Sequence, residues 1–444
     1  MNESASTPTH AVSATPAASS NRRDFLRAST LTFGSVLAAD LHLGGGVHAA
    51  GSDTLKVGLI GCGGRGTGAA SQALAADKNV VLHAMADTFE DQMQNSLAAL
   101  RREAPDKIKV DPERCFTGLD GYQRVLESGI DVVLLATPPG FRPVHFKAAI
   151  EANKHVFCEK PMATDSPGVR MVMEAAQVAK KKKLAVVAGF CWRYDFARRE
   201  FYKRVLGGDL GEIRALYSTY YTGPVKPMPP ADRRRPGMTD IEWQIRNWYN
   251  FVWLCGDGLV EQAVHSIDKI AWAMGDVPPL KAVAVGGRQI PAHGGNIYDH
   301  FHINYEYAKG VRAFLGCRQQ TGCYNQNADY VLGTQGTGTI GVRSTPEIQG
   351  PKAWRYQGEN NNMYQTEHDE LFASIRSGNP INDGDRMCTS TLLSIMGRMA
   401  AYTGLEVTWE QALQSNDHLV PDPIDWNMKF TPPPLALPGI TKFA

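Results

Sequence analysis

Three side chains in this sequence are spaced for handling a proton and a developing charge at a hydroxyl-bearing carbon. Glu261 and His265 stand four residues apart in Glu261-Gln262-Ala263-Val264-His265-Ser266-Ile267-Asp268, a stretch of helical composition that continues through Trp272 and Met274. That spacing predicts that both lie on one helix face. Taking hydride from a secondary alcohol requires a base for the hydroxyl proton and a cation to steady the forming alkoxide. An imidazole, with an ordinary pKa of about 6.5, suits the first task. Lys160, at the end of a strand in Cys158-Glu159-Lys160-Pro161, suits the second. Taken singly, His265 reads as a satisfied core histidine and Lys160 as a surface lysine; the catalytic reading rests on the three together. Asp268 is a candidate for binding substrate or orienting the imidazole, or equally a structural helix residue.

The elements that must position these groups begin at residue 55. Leu55-Lys56-Val57-Gly58-Leu59-Ile60 reads as a buried strand running into Gly61-Cys62-Gly63-Gly64-Arg65-Gly66 and then into a segment of helical composition. This is a G-x-G-x-x-G turn in its proper context: Gly61 for the tight turn, Gly63 for close approach to a pyrophosphate, Gly66 for helix against strand. A second strand, 80–86, ends at Asp87, 21 residues after Gly66, where a carboxylate can accept hydrogen bonds from a ribose. That acid favours NAD, while Arg65 offers a nearby cation that would suit NADP. Strand 131–136 ends in Thr137-Pro138-Pro139 with His145 beyond it, and strand 155–158 ends at Glu159. In a doubly wound sheet such strand ends face the cofactor crevice, so Thr137, Pro138 and Glu159 join Gly61, Gly63, Arg65, Gly66 and Asp87 as cofactor-binding candidates. The expected fold is an α/β Rossmann domain plus an α+β domain with an open, mostly antiparallel sheet. The domain boundaries read as 51–189 for nucleotide binding, 190–427 for substrate and oligomerisation, and 428–444 for a Pro-rich, extended tail that could serve as an arm.

In the second domain, strands are expected at 214–221, 280–285, 299–307, 311–317 and 329–332, with a further strand after the turn Gly333-Thr334-Gln335-Gly336-Thr337. Arg193 and Tyr194, leaving the last Rossmann strand, are candidates to touch substrate, with an interdomain salt bridge as the competing reading. Aromatic and basic residues crowd 233–253, and Trp248 among them suits a sugar ring or a plain apolar interface. His300 and His302 share a strand face, as sheet surface or substrate wall. Forty-six Lys and Arg against 45 Asp and Glu leave a net charge of +1, which supplies no field for nucleic acid or an anionic membrane. The eight cysteines form no C-x-x-C pair, so no metal site is expected. Only Cys317 and Cys323 are close enough for a hairpin disulfide, and two reduced thiols fit as well.

The first fifty residues carry Asn21-Arg22-Arg23-Asp24-Phe25-Leu26-Arg27, a modest apolar run and the stretch Val47-His48-Ala49-Ala50. This resembles a twin-arginine signal peptide over 1–50, with cleavage after Ala49, no membrane anchor and a periplasmic product. From the glycine turn onward the chain resembles the glucose-fructose oxidoreductase, inositol dehydrogenase and MocA-like (Gfo/Idh/MocA) family. The matching pieces include Ala136-Thr137-Pro138-Pro139 with His145, Cys158-Glu159-Lys160-Pro161, Gly211-Glu212-Ile213, and Asp257-Gly258 running to His265 and Asp268. The resemblance implies that Lys160 and an acid-x-x-x-His pair hold the reacting hydroxyl near a nicotinamide and that His145 belongs to the cofactor-binding set; Glu261 stands where the family usually has Asp. It implies a carbohydrate or polyol oxidoreductase with tightly bound NAD or NADP and a homo-oligomer built on the open sheet. The alternatives are a redox-neutral NAD-dependent glycosidase, similar in its glycine-arginine-glycine turn, and a non-catalytic sugar-binding protein on the same fold.

Overall fold

The computed structural model describes residues 53–290, 294–342 and 344–442. The twin-arginine segment lies outside the described residues.

Six strands form the first sheet: β1 (Leu55–Ile60), β2 (Val80–Asp87), β3 (Cys115–Thr117), β4 (Val132–Leu135), β5 (His155–Cys158) and β6 (Val186–Ala188). Their order is β3-β2-β1-β4-β5-β6 and every pairing is parallel. Sequence explains this directly. β1 and β4 are near-continuous apolar runs buried on both faces, as a sheet covered by helices on each side requires. The helices are α1 (Gly64–Ala76), α2 (Glu90–Glu103), α3 (Gly121–Glu127), α4 (Arg142–Glu151) and α5 (Ser166–Lys181). Asp165 caps α5 by accepting from the Gly168 amide at 2.8 Å, and Lys180 and Lys181 sit in its last turn, where the helix dipole favours cations.

The helix α6 (Phe196–Leu206) leads to the second sheet. It contains β7 (Ile213–Thr222), then, after the short helices α7 (Asp240–Arg246) and α8 (Val252–Cys255) and the helix α9 (Val264–Ala273), β8 (Lys281–Gly287), β9 (His300–Glu306), β10 (Arg312–Gln319), β11 (Gln326–Gly333), β12 (Thr337–Gly341), β13 (Glu347–Gln349) and β14 (Trp354–Arg355). Helices α10 (Met363–Arg376) and α11 (Gly384–Thr403) precede β15 (Val407–Thr408) and α12 (Trp409–Gln414). The nine strands run β14-β13-β12-β11-β7-β10-β9-β8-β15, antiparallel except where β7 meets β10. The expected architecture is therefore the observed one, with β13, β14 and β15 as short additions that no alternating run of residues announced. One buried cluster runs from Val133 and Leu135 through Ile303 and Leu315 to Met396, so both sheets share a core. The Pro-rich tail is extended but lies on its own chain: Asn296 Nδ2 donates to the Pro433 carbonyl at 3.0 Å and the Tyr298 hydroxyl to that of Ala436 at 2.9 Å. All eight cysteines are free thiols, Cys317 inside β10 and Cys323 exposed.

Candidate active site

The glycine turn forms where β1 ends. Gly61 has φ +94°, and a Cβ there would lie 2.7 Å from the backbone of Ala136 and Thr137. A Cβ on Gly66 would stand 1.8 Å from the Gly61 carbonyl oxygen, so helix and strand approach to a distance only glycine permits. Gly63 and Gly64 differ: a Cβ on either would meet nothing within 4 Å. That open space lies at the N-terminus of α1, whose first turn carries no acid, which fits the pyrophosphate of a dinucleotide. Asp87, ending β2, accepts from the Cys62 amide at 2.7 Å and the Phe89 amide at 2.9 Å. A carboxylate has about four lone-pair sites, so capacity remains for a ribose. Burial pushes the Asp87 carboxyl upward, partly offset by those two amides.

Lys160, Glu261 and His265 converge beyond the end of β5. Lys160 Nζ donates to Glu261 Oε1 at 2.9 Å and to the Glu261 carbonyl, and both side chains are buried. The expected simple helix face needs correction. Residues 259–263 form a π-helical turn before α9 begins, and Glu261 hydrogen-bonds Lys160, whose charge in turn acts on His265 through space. The wide turn swings the Glu261 carboxylate toward β5; such turns recur at functional sites. His265 is half-buried, yet its Nδ1 is sealed from solvent without a hydrogen-bond partner among the described residues. Burial, then Lys160, Lys269 and Arg65, push the imidazole well below its usual pKa, so it is held neutral with a free ring nitrogen. Around this core lie groups the sequence reading did not assign. Gln262 Nε2 reaches both Glu261 Oε2 and the Tyr249 hydroxyl, and the Tyr220 hydroxyl donates to Gln262 Oε1 at 2.9 Å. Tyr249 also hydrogen-bonds Glu261, and burial raises its phenol pKa, so it stays a neutral donor. Trp248 stacks on Tyr249 at 3.9 Å between centroids, which brings that candidate beside the site.

Other candidates have fixed partners. Arg65 pairs with Glu159 and, at 2.9 Å, with Glu367 of α10, and its guanidinium lies over the Tyr364 ring at 5.0 Å. Its charge is thus spent toward β5 and α10, not at the Asp87 end. Burial raises Glu159, but Arg65, Lys160 and Arg142 outweigh it and hold the carboxyl low. Glu367 is raised well above the carboxylate range, by burial first and Glu159 next. Thr137 Oγ1 lies 3.3 Å from His145 Nδ1, and the His145 ring stacks on Tyr122 at 4.2 Å. Burial, with Arg142 adding to it, lowers His145 to about 3, so it is a neutral aromatic group stacked between Tyr122 and Phe141. Arg142, unassigned from sequence, is buried and donates to the Pro161 carbonyl at 2.6 Å, bracing the segment that carries Lys160.

Three substrate-binding expectations are corrected. Arg193 binds Asp268 and Asp276 through its guanidinium, with side chains 3% and 1% exposed for Arg193 and Asp268, while Ser390 donates to Asp268 at 2.7 Å. This is the buried structural ion pair between the Rossmann strand exit and α9; neither group has a face left for substrate. Tyr194 is likewise buried, donating to Asp383 Oδ2 at 3.0 Å and accepting from Arg386 at 3.2 Å. His302 lies exposed on the sheet surface and His300 pairs with Asp299 at 2.8 Å. Among the described residues no cluster of His, Cys, Asp and Glu could hold a metal, and no helix is long and apolar enough to cross a membrane.

Residues 55–190 match the profile described as "Oxidoreductase family, NAD-binding Rossmann fold", GFO_IDH_MocA. The chain is 24% identical over 222 residues to myo-inositol 2-dehydrogenase of Thermotoga maritima, covering 50% of this chain and 55% of that protein. It is 32% identical over 145 residues to inositol 2-dehydrogenase of Paracoccus denitrificans, covering 32% and 38%. These alignments thus span about half or less of the curated relatives' length. Among solved structures, aldose-aldose oxidoreductase from Caulobacter crescentus superposes with a TM-score of 0.63 at 19% identity, over 80% of this chain and 99% of that one. A levoglucosan dehydrogenase complexed with NADH and levoglucosan gives the same TM-score, identity and coverage. At that identity the superpositions establish the fold.

Proposed function

Since residues 55–190 match the Gfo/Idh/MocA oxidoreductase profile with its NAD-binding Rossmann fold, we propose that the whole chain moves hydride between a carbohydrate or polyol hydroxyl carbon and a resident nicotinamide dinucleotide. The observation that carries this is the Lys160–Glu261 pair beside a neutral His265 whose Nδ1 has no partner among the described residues, at the same sheet edge as the open Gly63–Gly64 cradle. The dinucleotide, when bound, supplies the hydride acceptor or donor. His265 takes the hydroxyl proton, Lys160 places positive charge beside the forming alkoxide, and Glu261 anchors Lys160. Trp248, stacked on Tyr249, offers a flat apolar face for a sugar ring.

Export by the twin-arginine route to the periplasm is part of the proposal and rests on the sequence alone. Where no pool of free dinucleotide is expected, the cofactor stays bound and is returned to its starting state in place by a second sugar or by the product. A homo-oligomer is proposed on the uncovered face of the second sheet. There Val283, Asn304, Phe314, Tyr217 and Tyr330 form one cross-strand row. The test is a panel of aldoses, cyclic polyols and glycosides added to purified protein while nicotinamide absorbance is followed. A polyol or sugar that changes it supports the proposal. Aglycone released without net reduction marks the redox-neutral glycosidase, and silence from a protein that does hold dinucleotide marks a sugar-binding protein.

A further inference from the structure

The crevice of a doubly wound sheet lies beyond the carboxyl ends of its strands, and here that edge is covered. Phe89, Leu119 and Phe141 follow β2, β3 and β4, and all three pack into an apolar cluster separate from the main cores. The rest of the cluster comes from outside the first sheet: residues 228–254 supply Ile245 and Trp253, and the C-terminal tail supplies Trp426. Polar ties lock these pieces together. Arg246, the last residue of α7, reaches both carboxylate oxygens of Asp91 at 3.3 Å, in the first turn of α2, and its guanidinium lies 3.8 Å from the Phe89 ring centroid. The Phe89 and Trp426 rings are 6.1 Å apart. Gln244 accepts from Trp253 Nε1 and donates to the Phe430 carbonyl, both at 2.7 Å, tying α7 to the tail. The Leu419 amide donates to Asp165 Oδ2 at 2.9 Å, fixing the tail to the start of α5.

We propose that α7 and the tail from Leu419 to Phe430 complete the dinucleotide site from outside the Rossmann domain, with Arg246 as the latch that closes the adenosine half. Phe89 is two residues past Asp87 and donates its amide to that carboxylate, so whatever clamps Phe89 stands at the ribose end. The cover turns an open crevice into an enclosed slot from which the dinucleotide leaves only when α7 or the tail lifts. This rests on the dinucleotide reading of the crevice and adds to it the residues responsible for retention.

The experiment loads purified full-length protein with isotope-labelled NAD and follows its exchange against excess unlabelled NAD, with melting temperature as a control for folding. Slow exchange is expected for the parent protein. Arg246→Ala and Asp91→Asn cut the same tie from opposite ends. Each is expected to speed exchange about tenfold, the scale of one partly exposed ion pair plus one stacked cation. Arg246→Lys, which keeps the charge and loses the plane over Phe89, is expected to fall between. Exchange within twofold of the parent in both variants would overturn the latch while leaving the dinucleotide site standing. A protein that takes up no labelled NAD in any form would overturn the site and the latch together.

Discussion

His265 is kept neutral by burial and by the cations Lys160, Lys269 and Arg65, and this has a kinetic signature. A base with depressed proton affinity remains in its working form as pH falls through the ordinary imidazole value, about 6.5. Oxidation by this protein is therefore expected to retain its kcat/KM below that pH, and half-loss at or above 6.5 would contradict the assignment. Lys160→Ala and His265→Ala are each expected to lower turnover about 10²-fold or more while leaving cofactor binding largely intact, with Glu261→Gln milder. Arg193 belongs to a different kind of chemistry. Removing its guanidinium leaves Asp268, 1% exposed, as an uncompensated buried charge, so Arg193→Ala is expected to cost about 3–5 kcal/mol in urea unfolding without a selective rise in KM. Nothing local in the sequence could decide that role, because Asp268 and Asp276 lie 75 and 83 residues away. The same holds for Glu367, which meets Arg65 across 302 residues.

At the scale of elements, the strand–glycine–helix unit was legible because its logic is local: an apolar run, a turn only glycine can make, then a helix. Its two outer kinds of glycine are expected to behave differently. Gly66→Ala would drive a methyl to 1.8 Å from the Gly61 carbonyl and is expected to damage folding. Gly63→Ala meets no protein atom within 4 Å, so its melting temperature is expected to stay near the parent value while NAD affinity falls, as isothermal titration can check. Equal loss of stability in both would contradict the reading of the open space as a ligand cradle. The π-helical turn at 259–263 was not legible. A four-residue spacing is read as one face of a regular helix, and nothing local announces that Lys160, 101 residues earlier, binds both the carboxylate and the carbonyl of Glu261 within that turn.

At the scale of the molecule, the second sheet presents α9 and α11 with one face and leaves Val283 43%, Val285 69% and Leu332 42% exposed on the other. These exposed apolar side chains on an uncovered sheet face are the surface on which association was proposed. Phe314→Glu, in the middle of the cross-strand row, is expected to reduce the mass measured by light scattering to that of one chain. An unchanged multimer would place the contact elsewhere. Alternation along β7 to β11 made this sheet readable in advance, whereas its uncovered face became visible only once the register aligned Val283, Phe314 and Tyr330. Under the proposed function, one enclosed dinucleotide serves both Lys160 and His265. A single-turnover experiment tests this most directly: protein loaded with stoichiometric NAD is mixed with a reactive sugar or polyol from the panel, and nicotinamide absorbance is recorded for the parent, Lys160→Ala and His265→Ala. A reduced-nicotinamide signal of one equivalent per site is expected in the parent, slowed about 10²-fold or more in each variant; equal rates in all three proteins would contradict the shared site.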